Sequence, residues 1–189
     1  MPHGFRLVRR SGSIPPMLSP DEAIETIARA HRDVHSLLAG ISVEELEEPA
    51  TIGGGEWSAK DLVGHLTTWE EIALTSVDEW RQGDRPAIED TFARAGGDAL
   101  NADEVARKSV VSAPELLSQF DEVHQRLVVT LRSITAEEWA QPAAYAGNDA
   151  GTTLGTLLGG ILGSEAGAFQ HFFAHQRDLR AFSELHAPG

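Results

Sequence analysis

The chain has 189 residues, 29 acidic against 15 basic side chains, a formal net charge of -14 and no cysteine. That length suits one ordinary domain with its own core, and the charge repels a phosphate backbone over most of the surface, so nucleic acid is not expected as a partner. Without thiols there is neither a disulfide framework nor a thiolate metal site, and any metal must be held by His, Asp or Glu.

Residues 1–16 include Arg6, Arg9 and Arg10 but no apolar run of seven, so they fail as a signal peptide and a cytoplasmic location is the expectation. Residues 1–17 read as an extended or disordered tail, and residues 18–189 as the domain. Ser19-Pro20-Asp21-Glu22 is a capping box with proline at the first helical position, and it predicts a first helix over residues 20–39 that stops at Gly40. Ser42 and Glu45 repeat the pattern for one short turn. Ser58, with Asp61 three residues on, starts a second long helix that reaches Arg81 and buries Leu62, Leu66, Trp69, Ala73, Val77 and Trp80.

Residues 83–111 show no sustained period, and they read as a long connection with a helical piece at residues 99–108. Ser112 and Glu115 form another capping box before a third helix carrying Leu117, Phe120, His124, Leu127 and Leu131. Thr135 and Glu138 cap a further short turn. A fourth helix is predicted without interruption from Leu154 to Phe182, with Glu165, His171 and His175 on its inward stripe. The most apolar part of the chain, residues 150–163, is 14 residues long, against roughly 20 for a membrane span. No membrane partner is expected. Four long amphipathic helices and no strand candidate indicate an all-α four-helix bundle.

Histidines four apart on a helix leave from one face, so both rings can reach one ion. His171 and His175 meet that condition, and so do His31 and His35. His65 lies about 6 residues, roughly 9 Å, inside the second helix, and His175 about 8 residues, roughly 12 Å, from the end of the fourth. They share a level only if those two helices are antiparallel. An up-down-up-down bundle would set them more than about 20 Å apart. A metal site built on His65 therefore requires the second and third helices to run parallel, with residues 83–111 as the crossover. Trp57, Trp69 and Trp80 read as core aromatics, and Glu70 as solvated or paired.

Trp57-Ser58-Ala59-Lys60-Asp61-Leu62-Val63-Gly64-His65-Leu66, continued by Trp69-Glu70, resembles the second-helix motif of the DinB-like superfamily, which includes mycothiol-dependent maleylpyruvate isomerases and DfsB-type bundle proteins. His171-Phe172-Phe173-Ala174-His175 resembles the last-helix ligand pair of its three-histidine members, and the likeness in helix order spans residues 18–183. It implies an up-down-down-up bundle with a long crossover from the second helix to the third. It also implies His65, His171 and His175 as ligands of one divalent ion, and three imidazole donors suit zinc or nickel. A low-molecular-weight thiol is then the cosubstrate for a metal-dependent transferase or isomerase acting on a small molecule. The isomerase branch carries a glutamate and a histidine on the last helix where this chain has two histidines. The alternatives are hydrolysis of a small electrophile and a non-catalytic metal-binding stress-response protein. From its place on the inward stripe before His175, Glu165 is the candidate either for supporting a metal ligand from behind or for acting as general base. Gly155, Gly159, Gly163 and Gly167 recur every four residues and predict a smooth strip on the fourth helix, used either by the first helix or, as the preferred expectation, by a two-fold copy in a homodimer.

Overall fold

The computed structural model describes residues 18–52, 56–145 and 151–186; the tail expected at residues 1–17 lies outside them. The described residues form eight helices and no strand: α1 (Pro20–Leu38), α2 (Val43–Glu47), α3 (Ala59–Gln82), α4 (Ala87–Lys108), α5 (Ala113–Arg132), α6 (Ala136–Ala140), α7 (Leu154–Ile161) and α8 (His171–His186). None of these helices is long and apolar enough to cross a membrane. Reciprocal capping boxes form at Ser19/Glu22, Ser42/Glu45 and Ser58/Asp61, so three helix starts follow from local chemistry. Ser112 does not complete the fourth box, because its hydroxyl caps nothing. The Ala113 N–H at the start of α5 instead donates to Glu47 Oε1 at 2.7 Å, a tertiary replacement for a local cap.

Cross-helix contacts set the topology. Lys60 donates to the Ser109 carbonyl just before α5, Glu70 meets His124, and Arg81 at the end of α3 reaches Ser133 and Glu138 beyond the end of α5. The numbers rise together, so α3 and α5 are parallel. His65 meets His171 while Trp57 lies against His175, so α3 and α8 are antiparallel. Leu18 receives the Trp139 indole N–H and His35 meets Asp121, which makes α1 antiparallel to α5. The bundle is up-down-down-up.

The crossover between α3 and α5 is itself a helix, longer than the piece expected at residues 99–108. Only Ile88, Gly97 and Lys108 of α4 are buried, and its path turns at Gly96, φ 75°; so sparse a buried face leaves no period to read in the sequence. At Gly64 the seam between α3 and α5 is tight. A Cβ there would stand 3.1 Å from Leu116 and 3.6 Å from the Lys108 stem.

The fourth helix is broken, contrary to the uninterrupted stretch expected from Leu154 to Phe182. Helix α7 stops at Ile161, Ser164 and Gly167 exchange backbone hydrogen bonds at 3.0 Å, and α8 begins at His171, whose N–H donates to the Leu162 carbonyl. Phe169, with φ 59°, is driven into the core and stacks on Trp139. The glycine strip therefore has no continuous face. Gly159 and Gly163 accommodate the chain's own return: a Cβ on Gly159 would meet Ala168 Cβ at 3.1 Å, and one on Gly163 would meet the Gly159 carbonyl oxygen at 2.3 Å. The helix strip on which the homodimer expectation rested is absent.

Two glycines three residues apart should therefore respond oppositely to alanine. Gly163→Ala should destabilise the fold by about 1 to 3 kcal/mol through forced overlap with backbone. Gly160→Ala, which meets nothing within 4 Å, should be neutral or stabilise by up to about 1 kcal/mol. Urea unfolding of the two variants checks this, and equal midpoints would refute the steric account of the break.

Candidate metal centre

His65 sits two turns inside α3, in a helix buried without interruption from Leu62 to Glu70, because α4, α5, α7 and α8 all pack against it. His171 opens α8 and His175 lies one turn further on. Antiparallel packing brings the three rings together: His65 Nε2 and His171 Nε2 are 2.9 Å apart, and ring centroids stand 5.1 Å apart for His65 and His175 and 5.2 Å for His171 and His175. One ligand nitrogen from each falls within 4.8 Å of the others.

His65 and His171 are buried and His175 is partly exposed. Burial pushes His171 down to about 3, with His175 adding repulsion. It drives His65 well below the ordinary histidine range too, helped by His171, His175 and the Lys108 ammonium. Both inner rings are thus neutral near pH 7 and present lone pairs rather than positive charge. Ligand nitrogens at about 2.0 to 2.1 Å from a tetrahedral ion are about 3.3 Å apart. The 2.9 Å pair needs only a few tenths of an ångström of widening, so the residues present fit a divalent ion. Trp57 packs on His65 with centroids 4.9 Å apart, and Trp69 meets His171 edge-on at 5.4 Å. Trp69 is a core aromatic as expected. Trp57, only partly buried, walls the ligand cluster, a role that its place before the helix cap does not signal.

A cavity of about 40 Å³ lies beside His171, bordered also by His31, Glu70, Leu66, Phe120 and Phe169. Of the two readings expected for Glu70 the structure shows the paired one, in a buried setting: Oε1 is 3.0 Å from His124 Nδ1, and Oε2 is buried without a hydrogen bond. Burial pushes its carboxyl up, opposed by the bond to His124. Glu165 does not face this cavity. It is exposed in the turn between Ser164 and Gly167, because the break takes it off the inward stripe that an unbroken helix would have given it. His31, His35 and His124 stay outside the triad and gather with Asp121 between α1 and α5, where His31 borders the cavity.

Several solved structures share the fold. The colibactin self-resistance protein ClbS, in complex with a dsDNA, is 20% identical over 90% of this chain and 94% of its own, with a TM-score of 0.60. The sibling lethal factor precursor DfsB is 12% identical over 90% and 98%, with a TM-score of 0.68. YfiT from Bacillus subtilis, described as a probable metal-dependent hydrolase with an unusual four-helix bundle topology, is 16% identical over 94% and 92%, with a TM-score of 0.54. The complex with ClbS corrects the expectation drawn from net charge: a bundle of this fold takes DNA as a partner, so the summed charge of -14 does not dismiss nucleic acid. No curated protein matches. Residues 26–166 match the DinB superfamily, and the chain belongs to it.

Proposed function

We propose that the chain is a metal-dependent enzyme in which His65, His171 and His175 hold one divalent ion, zinc or nickel. Its nucleophile is a low-molecular-weight thiol, activated for transfer to, or isomerisation of, a small electrophile. The observation that carries this reading is the convergence of two buried, neutral imidazoles and one at the rim. When bound, such an ion supplies a Lewis acid that lowers the pKa of a thiol or water beside it. The three imidazoles contribute no negative charge, so they leave the positive charge of the ion undiminished. Trp57 and Trp69 fix two of the rings by packing. Because His175 is the partly exposed ligand, a substrate approaches from its side, while the inner cavity of about 40 Å³ beside His171 has room for water rather than for a substrate.

That water-sized space favours a second form of the reading, hydrolysis with water as nucleophile, and the description of YfiT points the same way. Glu165 is not assigned as the base in either form, since it is exposed outside the cavity.

Protein purified without chelator should carry an ion at this triad, so that the folded His65→Ala and His171→Ala variants each hold one ion per chain fewer than the wild type by elemental analysis. A metal content equal to that of the wild type in both variants would sink the site. With the metal-loaded protein and a panel of small electrophiles, thiol-dependent turnover supports the first form and thiol-independent turnover the second. His175→Ala should lower either by at least about 100-fold, the upper end of what losing a ligand-orienting partner costs. A fully active His175→Ala variant would remove the triad from the chemistry.

The metal-free protein should also be acid-sensitive in a defined window. His171 titrates near 6.5 unfolded and at about 3 folded, so the unfolded chain binds a proton that the folded one refuses. The stability is fully present above pH 6.5 and is lost as the pH falls towards 3. Between pH 6.5 and 5, above the main carboxylate range, Tm should fall with pH, and His171→Leu should flatten that slope by about one proton. An unchanged slope in the variant would show that His171 is not buried neutral.

A further inference from the structure

Outside the triad, the seam between α1 and α5 holds a second group of potential ligands. His31 and His35 are one turn apart on α1, and both direct Nε2 at the same atom of the facing helix, Asp121 Oδ1. The distances are 2.9 Å from His31 and 2.6 Å from His35. His35 makes a hydrogen bond there. His31 does not: its Nε2 is buried and has no hydrogen-bond partner in spite of the short distance. An ordinary ion pair accounts for one imidazole and the carboxylate, but not for a second imidazole nitrogen shut away from water and aimed at the same point.

The surroundings hold these groups in place. The His31 ring is stacked on His124 with centroids 4.0 Å apart and packs on Phe120 at 4.6 Å, and His124 is in turn tied to Glu70. Burial, with His124 and His35 adding to it and the Asp121 carboxylate opposing, pushes His31 down to about 4, so its ring is neutral near pH 7. On the other side the cluster is open, with the side chains of His35 and Asp121 exposed by 40% and 42%. An ion would have to widen the 2.6 and 2.9 Å separations towards the roughly 3.3 Å that ligands around a tetrahedral ion adopt. A half-exposed aspartate can withdraw that far without disturbing the core.

We propose that His31, His35 and Asp121 form a second site for a divalent first-row metal ion, separate from the triad and different in chemistry. Two imidazoles and a carboxylate halve the net charge of a bound ion, and the exposed side leaves coordination positions for water or an oxygen-bearing ligand. The order of filling follows from exposure: the enclosed triad fills first, and the seam site fills at higher free metal.

Equilibrium dialysis of metal-stripped full-length protein against Zn²⁺, with Co²⁺ absorption as a second readout, tests this on the wild type and on His65→Ala, His35→Ala, Asp121→Ala and Asp121→Asn, each confirmed folded by circular dichroism. The wild type should bind two ions at saturation, and His65→Ala one. His35→Ala and Asp121→Ala should also bind one, and His65→Ala combined with Asp121→Ala none. Asp121→Asn, which keeps the side-chain shape at a half-exposed position, should weaken the second ion at least about tenfold. If His35→Ala, Asp121→Ala and Asp121→Asn all bind as many ions as the wild type with unchanged affinity, the second site is overturned. The triad is tested separately, because its failure appears as a His65→Ala variant that loses no ion while the seam variants still do.

Discussion

Two histidines 106 positions apart, His65 and His171, approach within 2.9 Å, and that approach constrains the topology. Ligands on two helices can share an ion only at one height along the bundle axis. Going back along the chain from His65, which meets His171, to Trp57, which lies against His175, the contacts on α8 move forward, so at this height α3 and α8 run in opposite directions. In a chain of simple hairpins they would be parallel. The long helical crossover α4 resolves the conflict by carrying the chain back along the bundle, so that α5 starts beside the start of α3. The contact of Lys60 with the Ser109 carbonyl and the ion pair of Lys108 with Glu71 at 2.9 Å fasten the end of that return.

Burying imidazoles costs stability unless their neutral form is used. His65 and His171 are deprived of water by the same packing that brings them together, and Lys108 adds a positive charge that makes protonation of His65 less favourable still. Electrostatics and sterics therefore act in one direction, towards neutral rings: without an ion one Nε2–H donates to the other Nε2 at 2.9 Å, and with one both can present lone pairs to it. The seam cluster follows the same logic with a carboxylate included, so its groups can hydrogen-bond in part without an ion, as His35 does with Asp121. The triad contains no carboxylate, and its inner pair is joined by the hydrogen bond between the two imidazoles.

How much of this was legible in the sequence depends on whether the signal was local. Helix starts at Ser19, Ser42 and Ser58 were readable because a capping box is a contact between residues three apart. The start at Ser112 had the same letters but is completed by Glu47, a partner 66 positions away. Helix α4 escaped because a face with three buried residues leaves no hydrophobic period. The break after Ile161 was hidden by coincidence. Apolar residues continue at helix-like intervals through Leu158, Ile161, Ala168 and Phe172, although the chain between Ile161 and His171 is a turn. Extending the period across it put Glu165 inside and the four glycines on one strip. Asp121 carried a local signal that was passed over, for it lies one turn before His124 on the face of α5 that meets α1.

The break also explains how a family-level likeness and a site-level one divide within this chain. The match to the DinB superfamily covers residues 26–166 and so includes His65 but ends before His171 and His175. What joins the two parts is the turn itself. Phe169 is anchored against Trp139 in the core, and the His171 N–H is bonded to the Leu162 carbonyl, so the first residue of α8 is held at both its backbone and its neighbour. An unbroken helix would fix the direction of residue 171 by its angular distance from α7 alone. A stop and restart sets that direction independently, which lets α7 present Leu154 and Leu158 to the core while α8 presents His171 and His175 to His65. The strained backbone at Phe169 is a cost of roughly 1 to 3 kcal/mol, and it is offset where the aromatic ring fills the core beside the cavity.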